Sequence, residues 1–563
     1  MFAGLAAPSI GIDINKERHP PPPATPLDFP NCIPTGANAS SPSRSSTKLC
    51  RLLGFAKKAQ DISPTCLEEL NLTVTPDVPI SHIVPRNGEH KPRPPPPLEK
   101  TSDQDVPGVE SMTVQSLMSN GNPFPAQEKY DLLKKEILVD NEDAFREVTR
   151  MAPLSGRPRI RVAHTRKFWV GLERMSQYWD SSHDRYIEPT EKDIKKEGPE
   201  SNGKMEVDGS NAAEGSTKDT SSIDSMDIDS KENDSSTHKD KTAGEAEAPS
   251  EPTTMYTGRR VSNGSQMPED AREETVRGFL EMIAWSFGCQ AHVPSLPPRL
   301  AMQNLLFPVR VSFALSRSPQ DRQVARKGIL EGPLFIGQCR NETVFHGEEQ
   351  TSGHDQKEMC DLLREVGTML LTAQERAREG TTEVKPGDGK WWTTKPRWGG
   401  LSDQGVTGEK APAVEDKPPD QNEPNKRSRY ERSLLGSRRS GSGSSRKMSV
   451  SDKWKLVQPG PGLWDKKMRY MQIGKVKDSE FDDIFMISSI NHHISILHLR
   501  VHPRYLQWLA GGDDSSTQDT PSPSEPWQKL ELRRTKWFDL LKAEDRLQAL
   551  DGIWGLFEWM MRA

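Results

Sequence analysis

The sequence predicts an α+β protein in which a composite antiparallel sheet with flanking helices is interrupted by long disordered insertions. Apolar residues recur at helical spacing in some stretches and alternate in others, which indicates both helices and strands. Hydrophobic residues make up 33% of the 563 positions, and charged residues make up 28%. Because this apolar fraction is well below the roughly 45–50% of ordinary globular chains, we expect roughly half of the chain to fold.

The N-terminal region, residues 1–123, is rich in Pro and Ser and is predicted to be disordered. Within it, Lys48–Leu72 carries leucines at helical spacing, so we expect a short amphipathic piece that docks elsewhere. Residues 124–189 form a predicted helical segment. Its two helices are marked by apolar residues at helical spacing over Tyr130–Leu138 and Phe168–Trp179.

Two charged stretches are predicted to be disordered spacers. Residues 190–254 form the acidic spacer, since the span 191–251 holds 17 acidic and 8 basic residues and almost no large apolar residue. Residues 381–452 form the second spacer, which has a basic end: the span 426–455 holds ten Lys and Arg against two acidic residues. The two spacers therefore carry opposite net charge, −9 and +8 over the counted spans.

The remaining blocks, residues 255–380 and 453–563, mix helical and strand patterns. In the first block the predicted elements are a helix at Val276–Phe287, strands within Leu305–Leu315 and Leu330–Phe345, and a helix at Met359–Ala377. In the second they are strands at Met468–Ile473, Phe481–Ile490 and His493–Val501, and one or two terminal helices within Trp527–Met561. The most economical architecture is one composite domain in which both blocks share a sheet. Two separate domains are the alternative.

A polar run on the strand predicted at His493–Val501 is the densest candidate site. Side chains two apart in a strand share a face, so we expect one polar face, made of His492, His498, Arg500 and His502. The favoured interpretation is structural, since a half-buried antiparallel strand needs one polar face. The functional interpretation is a phosphate- or metal-binding face, for which Asp482 and Asp483 are the nearest carboxylates if the two strands form a hairpin.

Common catalytic motifs are absent from the sequence. There is no G-x-S-x-G, P-loop, dinucleotide or HExxH pattern, so no catalytic residue, metal ligand or cofactor is predicted. The six cysteines include no CxxC pair, which favours reduced thiols over a zinc site. Trp391, Trp392 and Trp398 lie among cations, as in single-strand nucleic-acid binders, but anchoring of a loop to the core is the favoured interpretation.

Short regulatory motifs are more frequent than catalytic signals. Ser262, Ser440 and Ser449 each follow basic residues and are predicted phosphorylation sites. The run 91–97 fits a polyproline ligand, and Asn122-Pro123-Phe124 fits an endocytic adaptor ligand. The basic cluster predicted to direct nuclear import consists of Lys426, Arg427, Arg429, Arg438 and Arg439.

Three functions remain open from the sequence. The first is a non-enzymatic nuclear or nucleocytoplasmic interaction protein, regulated by phosphorylation, with protein partners and with nucleic acid as a further partner of the span 426–455. The second is an enzyme without a recognisable motif, a phosphoesterase or nuclease using the His/Arg face. The third is a cytoplasmic trafficking or cytoskeletal adaptor. No run of 18 apolar residues occurs, so no membrane association is expected, and the oligomeric state is left open.

Overall fold

The computed structural model describes residues 11–34, 46–56, 61–84, 117–187, 254–294, 298–303, 305–346, 356–378, 468–476, 479–511 and 526–562. Contacts within the chain define two units. The larger unit comprises Met1–Ile12, Pro22–Ser181 and Arg260–Ala563, and the smaller unit comprises Asp13–Pro21 and Ser182–Arg259. The predicted spacers, residues 190–254 and 381–452, lie almost entirely outside the described residues.

Eleven α-helices and thirteen strands occur in the described residues. The helices are α1 (Ser46–Phe55), α2 (Pro64–Leu70), α3 (Ile80–Ile83), α4 (Gln127–Ile137), α5 (Asn141–Thr149), α6 (Arg166–Trp179), α7 (Glu269–Ala284), α8 (Arg322–Arg326), α9 (Gln356–Ala377), α10 (Pro503–Leu509) and α11 (Ala543–Arg562). The strands are β1 (Leu72–Thr75), β2 (Arg185–Ile187), β3 (Met255–Thr257), β4 (Cys289–His292), β5 (Arg299–Met302), β6 (Leu305–Pro308), β7 (Phe313–Arg317), β8 (Ile329–Arg340), β9 (Arg469–Met471), β10 (Asp482–Ile490), β11 (His493–Val501), β12 (Leu530–Arg534) and β13 (Phe538–Asp539).

Nine of the strands form one sheet in the larger unit, in the order β1-β12-β11-β10-β8-β7-β4, with β13 paired to β11 and β9 paired to β8. The predicted α+β class is confirmed, and strands from both predicted blocks share this sheet. The sheet is mixed rather than wholly antiparallel, because β10 pairs parallel with β8, β1 with β12 and β9 with β8. The parallel pair β8 and β10 has α9 between its strands in sequence, as parallel neighbours require a crossover connection.

Helices cover the sheet on both faces. One core packs α4 to α7 and α11 against side chains such as Phe485 and Ile487, and the other packs α1, α2, α9 and α10 against Ile484 and Met486. Successive residues of β10 therefore enter opposite cores, and every position of this strand is buried. This arrangement differs from the half-buried sheet expected from the sequence. No helix among the described residues is long and apolar enough to span a membrane.

The N-terminal region contributes to this core, which corrects the expectation of disorder throughout residues 1–123. Leu49, Leu53, Leu67 and Leu70 of α1 and α2 are buried, and β1 adds a strand to the edge of the sheet beside β12. The helical spacing over Lys48–Leu72 does mark a segment that docks on the core. Low apolar content averaged over a long region conceals a short amphipathic segment of this kind.

The C-terminal region also differs from the prediction of one or two helices. Its first part forms β12 and β13, and a single helix, α11, follows. Gly552, which the helix propensity scale disfavours, has a packing role: a Cβ there would lie 2.9 Å from Ile80 Cγ2 and 3.1 Å from Ile496 Cδ1. The missing side chain lets α11 approach the sheet closely.

The described segments on either side of each predicted spacer contact each other. In the smaller unit, β2 and β3 are antiparallel with Ile187 opposite Met255, so the described residues that flank the acidic stretch are neighbours. In the larger unit, Arg376 near the end of α9 donates to Ile473 O at 2.8 Å and to Asp482 Oδ2 at 2.8 Å. This contact brings together the segments that flank the basic stretch.

Candidate functional site

The hairpin of β10 and β11 positions the predicted polar residues. The two strands pair in register from Asp482 opposite Val501 to Ile490 opposite His493, which confirms the hairpin on which the sequence argument depended. Asn491 occupies the turn with φ of 52°, a left-handed conformation that Asn tolerates. Arg272 Nε donates to Asn491 Oδ1 at 3.1 Å and holds the turn in place.

His498 lies inside the protein rather than on an open face. Its Nε2 donates to Asp483 Oδ1 at 2.7 Å, and its ring stacks on Phe485 with centroids 4.9 Å apart. Ile494 and Ile496 lie on the same side of β11 and are also buried, so this side of the strand is mainly apolar. The prediction of one polar face is therefore wrong, because the alternation of side chains places isoleucines between the histidines.

The other predicted residues have separate structural roles. Arg500 places its guanidinium over the ring of Phe481, 4.5 Å from the centroid. His502 precedes α10, and its Nδ1 accepts a hydrogen bond from Arg504 N at 3.0 Å, which caps the helix. His492 lies in the turn before β11, away from His498 along the strand. These four residues do not form a common binding surface.

A different group of residues converges at the turn end of the hairpin, and we call it the His–Asp cluster: His492, His493 and Asp539. One possible ligand atom from each residue lies within 4.8 Å of the others. The backbone fixes the group, because β13 pairs with β11 so that Asp539 lies opposite His493. Leu540 N also donates to His492 O at 3.0 Å. Asp539 was not singled out in the sequence, and only this pairing brings it to the histidines.

The ring nitrogens of the cluster lack ordinary hydrogen bonds. Nδ1 of both His492 and His493 is buried and has no hydrogen-bond partner among the described residues. The Nε2 atoms point to the carboxylate at longer range: His492 Nε2 lies 3.8 Å from Asp539 Oδ1, and His493 Nε2 lies 3.9 Å from Asp539 Oδ2. Leaving a buried polar atom unpaired costs about 1–3 kcal/mol, so such atoms call for an explanation.

Burial keeps both histidines neutral. It holds the pKa of His492 well below its ordinary value, with smaller contributions from His493 and Lys542. It also lowers the pKa of His493, against the opposing effect of Asp539. The surroundings are largely aromatic, since Trp179 lies 5.1 Å from the His492 ring and Phe29 lies 4.9 Å from the His493 ring. A neutral imidazole has a free lone pair, which is the form that binds metal ions.

A second polar group, which we call the Arg340 network, lies in the core between β8, β10 and α9. Arg340 is fully buried and pairs with Asp361 and with Glu365, whose Oε1 lies 3.1 Å from Arg340 Nη2. Ser488 accepts from Arg340 and donates to Glu365 Oε1 at 2.7 Å. Arg534 pairs with the other oxygen of Glu365. Nearly every charge in this network therefore has a partner of opposite sign.

Within the network, ion pairing opposes the effect of burial on the charged groups. Burial raises the pKa of Asp361 to about 6, although Arg340 lowers it. Burial opposes the charge on Arg340, but Asp361 and Glu365 raise its pKa above the ordinary value. Trp537 lies beside the guanidinium groups of Arg340 and Arg534, 5.7 Å and 5.6 Å from them, and stacks on Phe29. The Arg340 network and the His–Asp cluster are thus joined by two aromatic rings.

One predicted phosphorylation site falls within the described residues. Ser262 is partly buried and bonds to Gln266, and the arginines of its motif, Arg259 and Arg260, are 2% and 1% exposed. Arg260 Nη1 donates to Pro22 O at 2.9 Å. A kinase that reads these arginines would need local unfolding to reach them. Ser440 and Ser449 lie outside the described residues and stay predictions.

Of the remaining sequence motifs, one lies within the described residues and the others lie outside them. Phe124 of the adaptor-type motif is partly buried against the core, and the guanidinium of Arg562 lies 5.5 Å from its ring centroid. The motif is therefore engaged within the fold. The nuclear-import residues, the polyproline run and the tryptophan-rich run lie outside the described residues; the import residues are Lys426, Arg427, Arg429, Arg438 and Arg439.

All six cysteines are free, in agreement with the prediction of thiols. Burial raises the pKa of Cys32, Cys289 and Cys339 to about 12. Thiols of this kind stay protonated at neutral pH, which makes them poor nucleophiles.

Comparisons with protein-family models, curated proteins and solved structures find no match for this chain. The candidate function therefore depends on the geometry and the sequence of this protein alone.

Proposed function

We propose that this is a non-enzymatic interaction protein of the nucleus, or of the nucleus and cytoplasm, regulated by phosphorylation. The observation that carries the proposal is the pairing of segments that flank each charged stretch. Ile187 lies opposite Met255, and Arg376 bonds to Ile473, so the described residues on either side of each stretch lie close together. Closing a long loop costs little more than closing a short one, because the entropy grows only logarithmically with length.

The charges of the two stretches support partner binding. A stretch of net −9 and one of net +8 attract partners of opposite charge over several ångströms, and such contacts weaken with salt. The basic stretch suits an import receptor or nucleic acid, and Ser440 and Ser449 lie within it or beside its cations. A phosphate there adds about −2 charge and lowers affinity for an acidic partner.

The enzyme alternative lacks a supporting observation in the described residues. A general base must lie within about hydrogen-bond reach of a substrate proton. His498 is buried and bonded to Asp483, and His502 caps a helix.

The test is the distribution and partner set of the tagged full chain. In the test variant, Lys426, Arg427, Arg429, Arg438 and Arg439 are all replaced by Ala. In the matched control, three exposed cations of the folded unit are replaced by Ala, namely Arg322, Arg326 and Lys327. We expect only the test variant to leave the nucleus and to lose its co-purifying partners.

An unchanged nuclear fraction and an unchanged partner set in the test variant would contradict the proposal. Phosphate-mimicking changes, Ser440→Glu with Ser449→Glu, should weaken partner recovery in the same direction. Equal thermal unfolding of all variants shows that the fold is retained.

A further inference from the structure

Three potential metal ligands are held by backbone pairing at the turn end of the β10–β11 hairpin. His492 and His493 are consecutive, and Asp539 lies across the β11–β13 ladder from His493. Leu541 N donates to Asp539 Oδ1 at 2.9 Å, which orients the carboxylate. Ligands fixed on hydrogen-bonded strands lose little conformational freedom on binding an ion.

The histidines are the strongest sign that the His–Asp cluster binds something. His492 is 7% exposed, and its buried Nδ1 and that of His493 have no hydrogen-bond partner among the described residues. The buried His498 also has an unpaired Nδ1, but its Nε2 bonds to Asp483 Oδ1 at 2.7 Å, whereas the Nε2 atoms of His492 and His493 lie 3.8 Å and 3.9 Å from Asp539. The Nε2 atoms of both rings therefore face one carboxylate from beyond hydrogen-bond distance, and these are the atoms that an ion would join to it.

The distances suit a small divalent transition-metal ion. Bonds of about 2.0–2.1 Å in a tetrahedral site place ligand atoms about 3.3–3.4 Å apart. The two Nε2–carboxylate separations are 3.8 Å and 3.9 Å, so each needs to shorten by about half an ångström. The ligand atoms of the two histidines lie within 4.8 Å of each other and would also have to move closer together. Imidazole and carboxylate are the ligands that Zn²⁺ accepts, and three of them leave a fourth position for water.

Two charged side chains near the cluster affect ion binding: Lys542 competes with an ion for Asp539, and Asp545 adds negative charge. Lys542 Nζ lies 3.4 Å from Asp539 Oδ2, and its side chain is 72% exposed. It can therefore turn into solvent when an ion takes the carboxylate. Asp545 Oδ2 accepts from Asp539 N at 3.0 Å and adds negative charge near the cluster. His493 and Asp539 keep 14% and 12% of their side chains exposed, which provides access.

We propose that His492, His493 and Asp539 bind one Zn²⁺ ion, which clamps the β10–β11 hairpin to β13. The site goes beyond the proposed interaction function and does not depend on it. The sequence placed His492 on a different candidate face, with His498, Arg500 and His502, and did not single out Asp539, which comes from a two-residue strand far along the chain.

The test is titration of the purified, metal-stripped full chain with Zn²⁺ alone, followed by calorimetry and by thermal unfolding. We expect one ion per chain and a melting temperature that rises with Zn²⁺ concentration. His493→Phe, which keeps a ring beside Phe29, and the nearly isosteric Asp539→Asn should each weaken binding at least tenfold. Mg²⁺ should have no effect, since it prefers oxygen ligands.

Two further variants make the outcome specific. His346→Phe is the matched control, because that histidine pairs with Asp28 and with Glu358 rather than with the cluster. It should leave Zn²⁺ affinity unchanged. Lys542→Gln removes the competing cation from an exposed position and should tighten binding severalfold. Zn²⁺ stabilisation that persists in both His493→Phe and Asp539→Asn, or that is lost in His346→Phe, overturns the proposal, as does the absence of binding.

Discussion

The Arg340 network and the His–Asp cluster are both buried, yet they differ in how their polar atoms are satisfied. In the network, Arg340 and Arg534 meet two carboxylates on α9, and Ser488 bridges between them. In the cluster, two neutral imidazoles face a carboxylate at 3.8–3.9 Å and bond to nothing else among the described residues. The charges of the network are therefore paired within the chain, although Asp361 Oδ1 and Arg534 Nε have no hydrogen-bond partner among the described residues. In the cluster, the proposed partner of the imidazoles is an ion from outside the chain.

The largest expected effect is on the network. Arg340→Met removes the cation and leaves Asp361 and Glu365 buried without their main partner. Breaking a buried ion pair in this way costs about 3–5 kcal/mol. Denaturant unfolding of the purified chain measures this change. Arg322→Met, at an exposed position of α8, should change the free energy of unfolding by less than about 0.5 kcal/mol. Equal, small losses for both variants would show that the network contributes little.

We expect an intermediate loss of stability at His498 of β11 and a smaller one at His502, the residue that caps α10. His498→Ala leaves Asp483 buried without its 2.7 Å partner and removes the ring stacked on Phe485. We expect a loss of about 2–4 kcal/mol. His502→Ala removes a helix cap and an edge contact with the ring of Phe481, and it should cost about 1 kcal/mol. If His502→Ala proves as costly as His498→Ala, the assignment of separate roles to the two rings is wrong.

The smallest effect concerns a carboxyl on α9 outside the network. Burial raises the pKa of Glu375 to about 7, against the opposing effect of Arg378. A carboxyl with a raised folded-state pKa favours folding most below its ordinary pKa near 4.5, and this contribution is lost as pH rises through about 7. Glu375→Gln should therefore stabilise the protein, relative to the parent, by about 1–2 kcal/mol more at pH 8 than at pH 5.

Unfolding by denaturant at both pH values checks this prediction. Glu544→Gln, at an exposed position in the first turn of α11, serves as the control and should show no such difference. A pH-independent effect of Glu375→Gln would mean that Arg378 compensates fully for the burial of the carboxyl.

Local pattern predicted most elements and some of the site. The helical spacing of apolar residues marks α4, α6, α7 and α9, and alternation marks β11 at the bounds that the structure gives, His493–Val501. These patterns succeed because each element must present apolar side chains to a core with its own period. The same reasoning fails at β12 and β13. A two-residue strand has no period to detect, and a run of mixed apolar residues suits a helix equally well.

The sequence by itself determined the α+β class, and it favoured a shared sheet of two distant blocks over two separate domains. It named Asp483 as a partner of the histidine strand only on the condition that the two strands form a hairpin, which the structure supplies. It also determined the opposite charges of the two long stretches, which follow from composition alone. Only the tertiary structure decided that helices cover both faces of the sheet, that the N-terminal leucines complete a core and that Asp539 meets His492 and His493. Contacts between residues far apart in the chain depend on how strands pair and helices pack, and no local spacing records that choice.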